Sequence, residues 1–160
     1  MLCADLTIGI SAAAERVYEA LTRGTELVRW WPNGAATDLT PGQPYSFEFR
    51  YSGGVHVRNG TCISAVPAKN VALTWPDGKH SVIEFILVPD RAPSCTLRLV
   101  HTGFGQDNAE LRACQICADI WPGLLDKLRN YLETGTVEQA LSGEGDDGPG
   151  DNTTSETRSE

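Results

Sequence analysis

The sequence predicts an α+β fold in which a curved antiparallel sheet of about six strands surrounds a long C-terminal helix. Between residues 45 and 102 several segments carry apolar residues at every second position, which is typical of successive antiparallel strands. Helical spacing then runs from about residue 107 to residue 134. Strands that are grouped apart from the main helix favour a layered fold, with the helix across one face of a twisted sheet.

The N-terminal segment predicts one strand and two short helices. Residues 3–10 alternate between apolar and polar side chains, as in a half-buried strand. Ser11 stands where the N-cap of a helix is expected, and helical spacing continues until Gly24. Thr25 can cap a second helix, which must end near Trp31 because the following proline disfavours helical backbone at that residue.

Two further strands are predicted around a glycine-containing turn at residues 52–54. The strand over 45–51 places four aromatic residues on one face: Tyr45, Phe47, Phe49 and Tyr51. The segment 55–66 contains Asn-Gly, a strong hairpin signal, but a turn there would leave only four residues for a strand. We therefore predict one long strand with a bulge at Gly60.

The segments 70–75, 80–89 and 94–102 predict the remaining strands of the sheet. The last of them places Cys95, Leu97, Leu99 and His101 on one face. By the same alternation, Glu48, Glu84 and Arg98 are expected to point to solvent as surface charges.

The C-terminal helix carries two neighbouring apolar rows, which are Ile116, Ile120, Leu124, Leu128 and Cys117, Trp121, Leu125, Leu132. Pro122 lies within this pattern, where a proline costs roughly 3 kcal/mol by removing one backbone hydrogen bond. Two explanations remain open. Pro122 either kinks one helix above a cavity and frees the carbonyl of Ala118, or it lies in the first turn of a separate helix.

Composition predicts one domain over residues 1–134 and an acidic tail over 135–160 that is disordered from about residue 142. Residues 142–160 hold six acidic groups, one basic group and no large apolar residue, so they account for most of the net charge of −8. The body has no basic stripe, which argues against binding of nucleic acid or an anionic membrane. Without a secretory signal or an apolar membrane-spanning run, we expect a cytoplasmic protein with five free thiols.

Taken together, the landmark segments resemble the START-like (SRPBCC) superfamily of helix-grip proteins, over about residues 5–134. Within it the chain is most similar to single-domain relatives of the C-terminal domain of the heat-shock protein 90 ATPase activators. The segments are RVYEALT (16–22), RWWP (29–32), PGQPYSFEF (41–49), LTWPDG (73–78), LRLVHTGF (97–104) and WPGLLDKLRNYLE (121–133).

This resemblance implies a cavity between the sheet and the last helix, which in many relatives holds a small apolar or amphipathic molecule. It implies no shared catalytic residues. Pro122-Gly123 departs from the family pattern, in which relatives usually keep an ordinary helix there with glycine before the tryptophan. The expected ligand-binding residues are Trp30, Trp31, Tyr45, Phe47, Phe49, Trp75, His101, Phe104, Cys117, Trp121, Leu124 and Leu125.

The sequence offers no ready-made catalytic or metal site, and we predict no cofactor and no metal. His101 is the one candidate base, although a structural role is favoured for it. Cys114 and Cys117 form a C-x-x-C pair inside a helical pattern, where buried thiols are favoured over a redox site. The other cysteines and histidines offer no second close pair to complete a zinc site.

Three alternative functions are compatible with these residues and with the resemblance. Binding of a small apolar or amphipathic molecule, as in a carrier or sensor, needs only the cavity. A cavity enzyme of polyketide cyclase-like type is the alternative and would use His101, Tyr45 and Tyr51. A co-chaperone activator is the least favoured, because the known activators carry an additional N-terminal domain and here the first strand begins almost at Met1. The sequence identifies no protein partner.

Overall fold

The computed structural model of the protein describes residues 1–134, and the predicted acidic tail lies outside them. Within those residues a seven-stranded antiparallel sheet in the order β1-β7-β6-β5-β4-β3-β2 packs against a long helix, α3. The elements are β1 (Ala4–Ile10), α1 (Ala14–Thr22), α2 (Gly24–Leu27), β2 (Gly34–Ala35), β3 (Pro44–Tyr51), β4 (Gly54–Val66), β5 (Asn70–Thr74), β6 (Val82–Pro89), β7 (Cys95–Thr102) and α3 (Asn108–Thr134).

The predicted fold class is confirmed, and the sheet has one strand more than expected. The six predicted strands are β1 and β3–β7, in which β1 pairs with β7 and the others follow as a meander. The additional strand β2 has two residues that pair with Glu48 and Phe47 of β3. So short a strand has no visible alternation, which is why the sequence pattern does not reveal it.

The long strand β4 is confirmed, but the predicted bulge at Gly60 is wrong. Gly60 pairs regularly with Tyr45, and the register shifts later, between Cys62 and Ser64 in the pairing with β5. A Cβ atom at Gly60 would lie 2.6 Å from Cε2 of Tyr45 and 2.7 Å from Oγ1 of Thr74. The glycine therefore serves close approach of an aromatic ring and not a bulge.

The first helix begins later than predicted. Ala13 is its N-cap and has no capping side chain, so the assignment of Ser11 as the cap is wrong. The backbone N–H of Ser11 is instead bound by Glu133 of α3 at 2.8 Å. The second helix is also shorter than predicted, because α2 ends at Leu27 and the backbone continues in turns to Trp30.

Helix α3 is continuous through Pro122, so the alternative of two separate helices is wrong. The carboxylate of Asp107 accepts the backbone N–H of Glu110 at 2.9 Å, which caps the helix start. Pro122 and Gly123 both lie on the exposed side of α3. The proline therefore does not face the sheet.

The buried face of α3 consists of only part of the two predicted rows. Trp121, Leu125 and Leu128 are buried, whereas Ile116 and Ile120 are 52% and 50% exposed. The inward-facing row on β7 is fully buried as predicted, with Cys95, Leu97, Leu99 and His101 all inside. No helix within residues 1–134 is both long and apolar enough to cross a bilayer.

Two glycines with opposite surroundings give a prediction for stability. A Cβ atom at Gly123 would meet nothing within 4 Å. Gly123→Ala should therefore raise the free energy of unfolding by about 0.5–1 kcal/mol, because alanine loses less backbone entropy in a helix. Gly60→Ala should lower it by about 1–3 kcal/mol, because the methyl group collides with Tyr45. Urea denaturation of both variants measures the direction of each change in the free energy of unfolding. A loss of stability in Gly123→Ala would contradict the position of Gly123 on the exposed side of α3.

Candidate functional site

A group of six aromatic side chains fills the space between the sheet and α3, and Trp31 lies at its centre. Ring centroids of Trp31 are 5.4 Å from Trp30, 5.1 Å from Phe47 and 5.5 Å from Trp75. They are also 6.1 Å from Phe85 and 5.2 Å from Trp121. We call Trp30, Trp31, Phe47, Trp75, Phe85 and Trp121 the Trp31 cluster. Rings occupy the region in which the sequence predicted a cavity.

Each ring of the Trp31 cluster comes from a different part of the fold, apart from the two that follow α2. The indole N–H of Trp30 donates to the carbonyl of Ala20 in α1 at 2.9 Å, which fixes the segment after α2 against α1. Phe47 and Phe85 point inward from β3 and β6, and Trp75 follows β5. Contacts at these distances combine large buried apolar area with favourable ring geometry.

His101 is completely buried and both of its ring nitrogens are hydrogen-bonded. The indole N–H of Trp121 donates to Nδ1 at 3.1 Å, and Oγ of Ser81 lies 2.7 Å from Nε2. Because an indole can only donate, Nδ1 must be an acceptor, and the proton of the neutral ring is therefore on Nε2. Burial lowers the pKa of His101 from 6.5 to about 4. This arrangement matches the structural role that the sequence favoured.

The three groups proposed for an enzyme do not converge. His101 lies on β7, four strand positions from β3, which carries Tyr45 and Tyr51 at its two ends. The hydroxyl of Tyr45 donates to the carbonyl of Thr74, and burial raises the pKa of Tyr45. Tyr51 is 49% exposed and stacks on His56 with ring centroids 3.9 Å apart.

Four half-buried apolar side chains pack against the core that contains the Trp31 cluster, and we call them its open edge: Trp31, Phe49, Cys117 and Leu124. Phe49 meets the ring of Trp75 edge-on at a centroid distance of 6.2 Å. Cys117 and Leu124 are two turns apart on α3 and both pack against the core. The open edge therefore exposes apolar surface beside the buried core.

A charged pair borders the open edge on the sheet side. Arg58 of β4 lies directly opposite Phe47 of β3, so its side chain shares the inner face of the sheet with the aromatic row. Its Nε atom is 2.7 Å from Oδ1 of Asp77, and both side chains are about three-quarters buried. Burial lowers the pKa of Arg58, but Asp77 and Tyr51 outweigh this effect and raise it.

Trp75 carries an unpartnered polar atom within the described residues. Its ring is 7% exposed, and its indole N–H is buried without a hydrogen-bond partner. The N–H lies close to the thiol of Cys117, which is only a weak hydrogen-bond acceptor and whose pKa is raised by burial. A buried donor without an acceptor is uncommon in folded proteins and marks a place where a partner belongs.

The predicted ligand-binding residues occupy three settings. Five of them belong to the Trp31 cluster, and Phe49, Cys117 and Leu124 lie at its open edge. The remaining four are buried: Tyr45 beside Phe47 at 4.7 Å, Phe104 beside His101 at 4.9 Å, His101 itself and Leu125. Their role in binding a ligand stays a prediction.

The residues that the sequence predicts for the site do not include Phe85, Arg58 or Asp77. Phe85 alternates inward with Ile83 and Leu87, so the pattern of β6 could have added it to the aromatic group. Arg58 could have been placed by pairing β4 with the aromatic face of β3 across the turn at 52–54. No sequence signal links Asp77 to Arg58, because their contact depends on how the loop after β5 folds back.

All five cysteines are free thiols, as predicted. Burial raises the pKa of Cys3, Cys62 and Cys95, and it raises that of Cys117 to about 12. Cys3 donates its S–H to the carbonyl of Cys114 at 2.8 Å. Among residues 1–134, no group of three or more metal-binding side chains is gathered closely enough to hold an ion.

These thiols should react slowly in the folded protein. At pH 8 the raised pKa of Cys117 lowers its thiolate fraction roughly 1,000-fold relative to a pKa of 9. We therefore expect iodoacetamide to modify Cys117 at least 100-fold more slowly in the native protein than in urea, as followed by peptide mass spectrometry. Rapid alkylation of Cys117 in the native protein would revive a redox role for the C-x-x-C pair.

The outer face of α3 carries a shallow groove of about 580 Å³ near Gly123. Among residues 1–134, its lining residues come from α3: Ile120, Gly123, Leu124, Asp126, Lys127, Arg129 and Asn130. Three of them are charged, whereas small-molecule sites are lined mostly by apolar and aromatic side chains. We therefore take the Trp31 cluster as the candidate site.

Comparison with known proteins places this architecture in a family. The sequence matches the family described as Activator of Hsp90 ATPase homolog 1-like protein (AHSA1) over residues 11–133. Among curated proteins the comparison finds no match.

Solved structures with the same fold include protein MLL2253 from Mesorhizobium loti, with 22% identity and a TM-score of 0.67 over 83% of this chain and 99% of that one. The Aha1 dimer from Colwellia psychrerythraea has 25% identity and a TM-score of 0.64 over 82% and 96% of the two chains. DynU16, from the dynemicin biosynthetic locus, has 18% identity and a TM-score of 0.67 over 84% of this chain and 48% of that one. With the helix-grip fold and the match over most of its length, the chain belongs to the Activator of Hsp90 ATPase homolog 1-like family.

Proposed function

We propose that the protein binds a small apolar or amphipathic molecule at the open edge of the Trp31 cluster. One observation carries this proposal: the half-buried rings of Trp31 and Phe49 contact Trp75, whose buried indole N–H has no hydrogen-bond partner among residues 1–134. A binding site commonly combines apolar walls with a few unsatisfied polar groups that orient the ligand.

The close packing of the Trp31 cluster implies that a ligand enters differently from one that binds in the preformed cavity that the family resemblance implied. Trp31 is half-buried and belongs to the segment between α2 and β2, which is not part of the main sheet. A ligand displaces the exposed part of the Trp31 ring and packs against Phe49 and Leu124 in its place. It does not fill an empty cavity. The rings that it touches offer large apolar area, which supplies most of the binding free energy.

The enzyme alternative receives no geometric support from the described residues. Both nitrogens of His101 are engaged, and Tyr45 and Tyr51 lie at opposite ends of their strand. The likeness to DynU16 is a likeness of fold. Binding alone is therefore the function that the site supports best.

Two measurements on the full-length chain test the proposal. Native mass spectrometry of freshly purified protein, followed by extraction, should detect a co-purifying small molecule. In addition, the apolar fluorescent probe N-phenyl-1-naphthylamine should bind with saturation.

A matched pair of variants on α3 locates the site. Leu124→Glu should weaken binding of the probe at least tenfold, because a carboxylate at the open edge repels an apolar ring. Ile120→Glu, one turn earlier at a residue that is 50% exposed, should leave binding unchanged. Absence of saturable probe binding, together with no co-purifying molecule, would refute the proposed function.

A further inference from the structure

We propose that the indole N–H of Trp75 binds an uncharged carbonyl oxygen of the ligand, so that the protein prefers flat apolar molecules that carry a ketone, ester or amide. This inference rests on the proposed function and names the ligand class of the same site. Neither the family match nor the structural neighbours assign a role to this atom.

The need for an acceptor follows from the surroundings of Trp75. Its ring is more than nine-tenths buried, stacks on Trp31 at 5.5 Å and meets Phe49 at 6.2 Å. The carbon atoms of the ring therefore pack against apolar neighbours. The N–H has no hydrogen-bond acceptor among the described residues. An indole N–H has no acceptor function, so only an acceptor atom can complete this position.

The donors near Trp75 outnumber the acceptors. Cys117 is a protonated thiol at neutral pH, because burial raises its pKa to about 12. Asp77 and Arg58 also act on the pKa of Cys117, so these four groups lie near one another. The one strong acceptor among them is Asp77, and Arg58 already binds it at 2.7 Å. The N–H of Trp75 can therefore accommodate an acceptor atom of a ligand, for which an oxygen is the usual partner.

The charge balance favours a neutral oxygen over a carboxylate. Arg58 and Asp77 neutralise each other, and both side chains are largely shielded from water. A carboxylate beside Trp75 would add a second negative charge to this pair without a second cation. A carbonyl oxygen accepts the same hydrogen bond and adds no net charge, so it avoids the cost of burying an unpaired ion.

The apolar neighbours of Trp75 indicate the shape of the rest of the ligand. A ligand whose oxygen meets Trp75 must extend its body along Trp31 and Phe49, both of which are half-buried and present ring surface. Flat ring systems match such walls better than linear chains, because offset stacking and edge contacts require planar partners.

Three probes with one ring system separate these contributions: 2-acetylnaphthalene, 2-ethylnaphthalene and 2-naphthoate. We expect the ketone to bind about tenfold more tightly than the hydrocarbon, as one additional hydrogen bond predicts. We also expect 2-naphthoate to bind more weakly than the ketone. Trp75→Phe should remove the advantage of the ketone, whereas Trp30→Phe, a matched change in the same cluster, should preserve it.

Nuclear magnetic resonance of the wild-type protein provides a second measurement, which does not depend on whether the variants fold. The Nε1–H resonance of Trp75 should move downfield with 2-acetylnaphthalene and not with 2-ethylnaphthalene. Equal affinity of the two probes without this shift would overturn the carbonyl inference and leave the proposed function intact. Tightest binding of 2-naphthoate would overturn the charge argument. Failure of all three probes to bind to a protein that does bind N-phenyl-1-naphthylamine would overturn the inference and leave the proposed function intact.

Discussion

Replacing Trp121 with alanine should lower the free energy of unfolding by about 3–5 kcal/mol, measured by urea denaturation. The side chain is 3% exposed and touches both the Trp31 cluster and His101. Its removal leaves a large cavity and also deprives Nδ1 of His101 of its donor. Few other single substitutions in α3 should cost as much.

Two further variants separate packing from hydrogen bonding. Trp121→Phe keeps a ring but removes the N–H. It should lower the free energy of unfolding by about 1–3 kcal/mol, because Nδ1 of His101 loses its donor and a small cavity remains. Ile120→Ala should cost less than about 1 kcal/mol, because Ile120 is half exposed. A larger loss for Ile120→Ala than for Trp121→Ala would mean that α3 is rotated relative to the structure.

The periodicity of the sequence predicts the sheet and α3 well, and the failures have identifiable causes. Alternation defines the faces of β3 and β7 because each strand has one buried side. The apolar rows of α3 contain more residues than the sheet can cover, so Ile116 and Ile120 remain exposed although they fit the helical pattern. Ser11 looks like an N-cap by residue type, but its N–H binds Glu133, a contact between residues 122 positions apart.

The candidate site is less predictable than the fold, because it depends on contacts between distant segments. The aromatic residues of the sequence include every member of the Trp31 cluster, but they suit a packed core as well as a binding site. Whether those rings surround a void or fill it depends on where α2 ends. With α2 only four residues long, Trp31 reaches Trp75 and Trp121 in the interior. The ion pair between Arg58 and Asp77 depends in the same way on tertiary geometry.

Stability should depend on pH through His101. Burial lowers its pKa in the folded protein to about 4, whereas the unfolded chain keeps the ordinary value of 6.5. Between these values the unfolded state binds a proton that the folded state does not, so acid favours unfolding. The contribution of His101 is complete above pH 6.5 and is lost as the pH falls towards 4, by about 3 kcal/mol in total.

Urea denaturation at pH 7 and pH 4 measures this loss against a variant that cannot titrate. In His101→Gln the amide oxygen can accept the N–H of Trp121 and the amide NH₂ can donate to Ser81, so the variant should fold. Between pH 7 and pH 4 its free energy of unfolding should fall by about 3 kcal/mol less than that of wild type. His56→Gln, which changes a histidine on β4 that stacks on the exposed ring of Tyr51, should lose as much as wild type. Equal losses in wild type and His101→Gln would mean that folding does not lower the pKa of His101, so that the folded protein is protonated there at pH 4. Nδ1 could then not accept the indole N–H of Trp121 at pH 4, and the burial of a neutral ring that the structure shows would be contradicted at that pH.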